Sequence, residues 1–390
     1  MDLERFRNSP IGKLVPISGI QGSTKQSYRY YAFLPNHLPC SLDLKSQTHT
    51  LVAEAARQLG NLQGLLQNLP NPELLIRSSI KREAQSTSAL EGTYATLESI
   101  FEGEFLPEDS LPSDLREVIN YINAANKGFD FARNNEITIS NLSKLQAIIV
   151  YKTQGGQLSP GKVRNGNVMI GDPAKGIADS QFVPPPAGDE LLNLYYDWEK
   201  WIHSNPQMHP LIMIAAAHYQ FETIHPYFDG NGRLGRLIIL MQLVAQEILI
   251  PPTLNLSAWF NLQPSKYREE LRNLSATGNW DSWITFVCEA IIGQSRLEVI
   301  RINELLKFSN LLILDLKKRK SRGAVITIAE SLIEDPYFTV ASAAKKFNVA
   351  FSTANNATMK LVELGVLREI TGKGYERIFM CPGVLKILEN

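Results

Sequence analysis

Apolar residues recur at spacings of three and four along most of this chain, the period of an amphipathic helix. Leu51, Val52, Ala55, Leu59, Leu62, Leu65, Leu66 and Leu69 line one face of a first long helix, which Pro70 and Pro72 are expected to end. A second helix is predicted from about Glu73 to Ala89, with Glu91-Gly92 suited to its end or to a kink. The same pattern predicts helices near 94–103, 113–132, 140–152, 187–204, 208–224, 232–249, 265–276 and 280–308. Between Gly155 and Pro186 it lapses into a glycine- and proline-rich stretch. There Lys162–Gly171 sets β-formers around Asn165-Gly166, a dipeptide that tolerates positive φ and predicts a hairpin. That hairpin is either a flap whose edge strand pairs with an extended peptide or a plain surface feature.

The basic run Lys317–Arg322 marks the boundary of a C-terminal unit. A helix near 324–334, the stretch Thr339–Asn348 and a helix from Ser352 to Leu364 precede a hairpin from Arg368 to Met380 that turns at Gly372-Lys-Gly. Three helices followed by a small ribbon predict a winged helix-turn-helix. The expected fold is therefore mainly α. It divides into an N-terminal helical region (1–130), a helical core with a hairpin flap (131–308) and a winged-helix domain (320–390).

Composition narrows the function classes. The 390 residues carry 39 Lys+Arg against 39 Asp+Glu, which argues against a chain built to coat nucleic acid or an anionic membrane. Cys40, Cys288 and Cys381 form no CxxC pair, so neither a zinc site nor a disulfide framework is indicated. The N-terminus lacks an apolar h-region, and the run Leu237–Val244 is too short to span a bilayer, so the expected location is cytoplasmic.

The densest chemical signal is His225-Pro-Tyr-Phe-Asp-Gly-Asn-Gly-Arg-Leu-Gly-Arg236, between two predicted helices. Gly230 and Gly232 let the backbone approach a ligand closely, and the N-terminus of the following helix is an anion site. Arg233 and Arg236 add charge-assisted donors, Asp229 a hard oxygen for Mg²⁺, and Asn231 a donor for a phosphate oxygen. His225 can take a proton from an incoming hydroxyl. Together these parts describe phosphoryl or nucleotidyl transfer. The competing reading is a tight connecting loop in which Asp229 and Arg233 pair for stability.

This stretch resembles the Fic family signature, His-x-Phe-x-Asp/Glu-Gly-Asn-Gly-Arg-x-x-Arg, with Tyr227 in place of Phe, an equivalent aromatic anchor beneath the loop. The resemblance implies a Fic-type helical bundle that moves AMP from ATP to a Ser, Thr or Tyr hydroxyl of a target protein, or of itself. By that analogy His225 is the base, Asp229 holds Mg²⁺, and Gly230, Asn231, Gly232, Arg233, Leu234, Gly235 and Arg236 contact ATP, with Arg236 meeting the γ-phosphate. Val168, Met169, Ile170 and Gly171 match the family's flap, which covers ATP and aligns the target as an added strand. Tyr267 resembles the residue that helps enclose adenine, although Arg268 stands where a second Tyr is usual. The likeness spans residues 30 to 300, and a homodimer is also implied by it.

Thr87-Ser-Ala-Leu-Glu91-Gly92 fits the family's inhibitory pattern, Ser/Thr-x-x-x-Glu-Gly/Asn. A Glu91 paired with Arg236 would occupy the γ-phosphate position; the alternative is a helix-ending step with a solvated charge. Some family members use this Glu to position water for AMP removal, so the reverse reaction stays open. His218, seven residues before His225, lacks metal-pair spacing and reads as core or supporting, and Glu222 and Asp281 read as ordinary helix carboxylates. For the C-terminal domain, Asn355, Asn356 and Lys360 are candidate DNA contacts, but the helix is poor in Arg and Lys. Protein docking or dimer support is favoured over DNA binding.

Overall fold

The structure, a computed structural model, describes residues 1–20, 27–69, 75–172, 176–204, 206–371 and 377–389. It opens on strands rather than on the helical region expected at the N-terminus. After a short α1 (Leu3–Phe6), β1 (Gly12–Ile20) and β2 (Ser27–Pro35) form an antiparallel hairpin with Gly12 opposite Pro35. The β-formers of Tyr28-Arg-Tyr-Tyr-Ala-Phe-Leu34 carry it, and Ala32 and Phe33 bury their side chains fully. Phe6, Phe33 and Phe182 pack ring against ring in a small core of their own, with centroids 5.6 to 5.8 Å apart.

Helices follow as the periodicity predicts: α2 (Ser46–Gln67), α3 (Ile76–Leu90), α4 (Leu97–Gly103), α5 (Ser113–Arg133), α6 (Ile139–Ile149) and α7 (Asp189–His203). α2 ends at Asn68, whose side chain caps the Gly64 carbonyl; Pro70, Pro72 and the predicted start at Glu73 lie outside the described residues. At the centre sit α8 (Pro210–Ile224) and α9 (Asn231–Ala245), apolar on every side and buried along nearly their whole lengths. The indoles of Trp198 and Trp283 donate to the carbonyls of Ala217 and Ala215, fixing α7 and a later helix against α8. This rigid pair holds the loop 225–230 between them.

α10 (Leu256–Leu262) and α11 (Pro264–Thr277) lead into α12 (Trp280–Lys318), a helix of 39 residues. It runs ten residues past its predicted end at 308, because Leu312, Ile313 and Leu316 continue the helical stripe and pack into the core. The basic run Lys317–Arg322 thus spans the last residues of α12 and the turn before the next helix. The last unit comprises α13 (Ala324–Ser331), β3 (Tyr337–Thr339), α14 (Val340–Lys346), α15 (Phe351–Glu363), β4 (Arg368–Glu369), β5 (Ile378–Met380) and α16 (Pro382–Glu389). Its antiparallel sheet has the order β3-β5-β4, and the predicted turn at Gly372-Lys-Gly lies outside the described residues. This unit meets the N-terminal end of α3, where Arg77 pairs with Asp335, and Tyr337 stacks on Phe101 of α4 at 5.0 Å. Among the described residues no helix is long and apolar enough to cross a membrane.

Candidate active site

Two left-handed residues shape the loop between α8 and α9. His225 ends α8 at φ 51° and Gly230 precedes α9 at φ 79°. Asn231 closes the turn: its Oδ1 accepts from Tyr227 N at 2.9 Å and its Nδ2 donates to Tyr227 O at 2.8 Å. Both side-chain functions thus brace the loop, and the amide nitrogen keeps a second N–H beyond the one given to Tyr227 O. Tyr227 anchors from below, as its aromatic character predicts, with its hydroxyl between Ser143 (3.0 Å) and Tyr195 (3.1 Å).

The imidazole of His225 is half-buried, with Nδ1 facing the Glu222 carbonyl at 3.3 Å. Nδ1–H donating there leaves the lone pair on Nε2. Burial and the nearby Arg164 guanidinium lower its pKa to about 4, so the ring is neutral at physiological pH. Arg164 was not singled out in the sequence, yet it holds the site together. Its guanidinium, 2% exposed, donates to the carbonyls of His225 (2.8 Å), Gly166 (3.0 Å), Pro185 (2.6 Å) and Ile224 (3.3 Å). It ties both sides of the glycine-rich segment to the end of α8.

The first intrahelical bond of α9 runs from Leu234 N to Gly230 O, so the N–H groups of Asn231, Gly232 and Arg233 precede it and have no partner within the helix. Asp229 Oδ1 accepts from Gly230 N at 2.5 Å and lies 3.4 Å from Arg233 Nη2. Oδ2 sits where a Cβ on Gly155 would fall, only 1.9 Å away, so glycine at 155 makes room for this carboxylate. Arg233 is buried and bonds Glu117 at 2.8 Å, another residue the sequence reading missed. Leu234 and Gly235 offer no group to a ligand: Leu234 is buried in the core, and the Gly235 carbonyl pairs with His218.

Arg236 is 3% exposed, and its Nε and Nη2 are engaged. Nε donates to Thr87 Oγ1 at 2.7 Å, and Nη2 to Thr87 O at 3.1 Å and Glu91 Oε1 at 2.5 Å. Glu91 caps the C-terminal end of α3, and Gly92 follows at φ 92°. Burial pushes the Glu91 carboxyl upward, but Arg236, Arg233 and Arg268 outweigh it and hold the group below its ordinary pKa. Gly232 allows the contact, since a Cβ there would fall 2.3 Å from Glu91 Oε1. Arg268 donates to Leu90 O at 2.7 Å and so grips the same helix end.

These groups border a cleft lined by Glu91, Ile170, Glu222, His225, Gly232, Arg236, Tyr267 and Arg268, among others. Asp229, Asn231 and Arg233 are not among its lining residues. Tyr267 forms part of the wall but is nearly buried, with its hydroxyl 2.8 Å from His218 Nε2, and His218 is the supporting core residue expected. Glu222 departs from the ordinary carboxylate expected of it: burial raises its pKa to about 7, and its Oε1 is buried without a hydrogen-bond partner. Of Val168, Met169, Ile170 and Gly171, only Ile170 faces the cleft. The flap is no two-stranded hairpin turning at Asn165-Gly166. Ile170 forms an isolated antiparallel bridge with Phe182, and the neighbouring Val183 carbonyl accepts from Phe33 N at 2.9 Å. Arg164 holds the Gly166 carbonyl where a regular turn would have placed a ladder bond.

Residues 49–130 match the Fic/DOC family N-terminal description, and residues 136–243, which include the loop and α9 up to Leu243, match the Fic/DOC family. Residues 49–130 and 136–243 are of the Fic/DOC family. It is 29% identical over 214 residues to the protein adenylyltransferase Fic of Drosophila ananassae, covering 53% of this chain and 36% of that protein. For the protein of the same name from Drosophila persimilis the figures are 28%, 53% and 35%. The chain thus spans about a third of the length of the curated relatives it matches. A Fic family protein from Desulfovibrio desulfuricans G20 superposes over 88% of this chain and 98% of its own, with a TM-score of 0.55 at 20% identity. Fic-1 (residues 134–508) from C. elegans superposes over 66% and 74%, with a TM-score of 0.51 at 17% identity.

Proposed function

We propose that this protein is an adenylyltransferase that moves AMP from ATP to a Ser, Thr or Tyr hydroxyl of a target protein, and to itself. The observation that carries the reading is a neutral imidazole at the mouth of a cleft that also holds a helix N-terminus and a buried arginine. The acceptor hydroxyl attacks the α-phosphorus, His225 Nε2 takes its proton, and pyrophosphate leaves. The N–H groups of Gly232 and Arg233 meet phosphate oxygens, and Arg236 meets the γ-phosphate once Glu91 has left it. Arg233 acts from behind the loop, and Tyr267 closes the base-binding end of the cleft.

Asp229 suits Mg²⁺ as a single hard ligand whose Oδ2 has the space left by Gly155, the remaining ligands coming from substrate phosphates and water. The ion would neutralise charge on the phosphates. Ile170 lines the cleft together with His225, and with Val168, Met169 and Gly171 it would meet an extended target segment. Glu91, held with Thr87 on Arg236, is the built-in brake. Residues 1–130, 131–308 and 320–390 serve as inhibitory, catalytic and accessory units. The last has the element order of a winged helix and acts in docking rather than DNA binding. The relatives named adenylyltransferase support the reaction class.

Incubation with α-labelled ATP and Mg²⁺ tests the proposal. Label should appear on protein with Glu91→Gly, weakly with the natural chain, and not with His225→Ala. Equal labelling of all three would remove His225 from the reaction.

A further inference from the structure

Glu222 lines the cleft with His225, yet no described residue donates a hydrogen bond to its carboxyl, and its Oε1 is buried. A buried acceptor without a partner is destabilising, and folded chains keep few of them. The neighbouring helix nevertheless makes room for this one. A Cβ on Gly235, inside α9, would fall 2.3 Å from Glu222 Oε1. Glycine within a helix weakens it relative to alanine, so α9 gives up stability where the carboxyl sits. The nearby charges do not hold the group either. Arg236 attracts it only at a distance, with Nε and Nη2 donating to Thr87 and Glu91, and Glu91 repels it. What this carboxyl bonds comes from outside the chain.

Its place in the cleft narrows the choice of ligand group. Glu222 stands three residues, about one helical turn, before His225, and both line the cleft. On the proposed reading His225 meets the hydroxyl that attacks the α-phosphorus, and the ribose is joined to that phosphorus through a single oxygen. The sugar is therefore the part of the nucleotide one turn from the reacting centre. Phosphate oxygens do not suit the carboxyl, because they accept rather than donate and would repel its charge. A ribose offers two adjacent hydroxyls, and a carboxylate has acceptor sites for both. We propose that Glu222 reads the ribose, accepting hydrogen bonds from its 2′- and 3′-hydroxyls and so restricting the substrate to ribonucleotides. The inference rests on the proposed nucleotide transfer and extends it to the sugar. A site built to bond a hydroxyl rejects the analogue lacking it, since the site's own buried group is then left unpaired.

Calorimetric titration of the full chain carrying Glu91→Gly and His225→Ala, with Mg²⁺ present, measures nucleotide binding without turnover. ATP should bind about 10- to 100-fold more tightly than 2′-deoxy-ATP or 3′-deoxy-ATP, the range for one lost bond to a charged group. Adding Glu222→Leu should erase that preference, whatever it does to affinity as a whole. Glu222→Gln, of the same shape with one acceptor oxygen, should retain part of it. A carboxyl with a purely structural role would leave the ratio of the three affinities unchanged in both variants. Equal binding of ATP and the two deoxy forms before Glu222 is altered would overturn the proposal while leaving nucleotide binding intact. So would a preference that survives Glu222→Leu, which would place sugar reading elsewhere. Failure of all three nucleotides to bind would instead sink the nucleotide reading, and this assignment with it.

Discussion

Glu91→Gly should release Arg236 for the nucleotide, and the structure sets the size of the effect. The pair is one charge-assisted hydrogen bond of 2.5 Å between a guanidinium 3% exposed and a carboxylate 38% exposed. Bonds to charged groups contribute about 1.5–3 kcal/mol, and exposure of the carboxylate trims that to about 1–2 kcal/mol. ATP affinity should therefore rise about 5- to 30-fold. Isothermal titration of the full chain with a non-hydrolysable ATP analogue and Mg²⁺ measures this directly. Glu91→Gln, which retains shape but not charge, should fall between the two. The nucleotide-free variant should also melt at lower temperature, because its buried Arg236 keeps only Thr87 as partner, and the analogue should recover the loss. An affinity within twofold of the natural chain would refute the reasoning.

Three other outcomes are expected. In the Glu91→Gly background, kcat/KM should rise with pH only around 4 and stay level from about 5.5 to 8, since the base must be neutral and its pKa is lowered to about 4; a limb near 6.5 would count against the burial argument. The same shift makes folding stability depend on pH: with the folded value below the unfolded one, the contribution is complete above about 6.5 and falls away as pH drops toward 4, which urea titrations at pH 7 and 5 can read. Arg164→Ala strips the donor from four carbonyls, at about 1–3 kcal/mol for each group left buried and unpaired, so denaturant unfolding should show a loss above about 3 kcal/mol even without full additivity. Gly155→Ala drives a methyl into Asp229, and labelling in the Glu91→Gly background should fall about 10- to 100-fold while the melting temperature changes little.

Helical periodicity and the His225–Arg236 loop were legible because both are local: one is a spacing, the other a run of twelve residues. The Glu91–Arg236 contact, across 145 residues, was anticipated only through resemblance, and the structure brings the two groups together. What escaped notice was set by tertiary contact. Arg164 looks like any basic residue beside a turn until four carbonyls converge on it, and Glu117 becomes notable only once α5 lies against α9. The bracing of the loop by Asn231 also went unread, because its amide fits a phosphate as well as it fits the Tyr227 backbone. The β1–β2 hairpin was overlooked since its strands lack strict alternation, with Pro16 inside one and consecutive tyrosines in the other.

The carboxylate of Glu91 reaches Arg236 from the same polypeptide, so on the proposed reading it would act as a tethered ligand. Its local concentration is fixed by covalent connection, on the order of millimolar or above for short tethers, and does not fall when the protein is scarce. A cell holding a handful of copies and one holding thousands would therefore keep the same closed fraction, which no separate inhibitor protein could guarantee. On that reading opening would come from leverage on α3, whose far end is held where Arg77 grips Asp335.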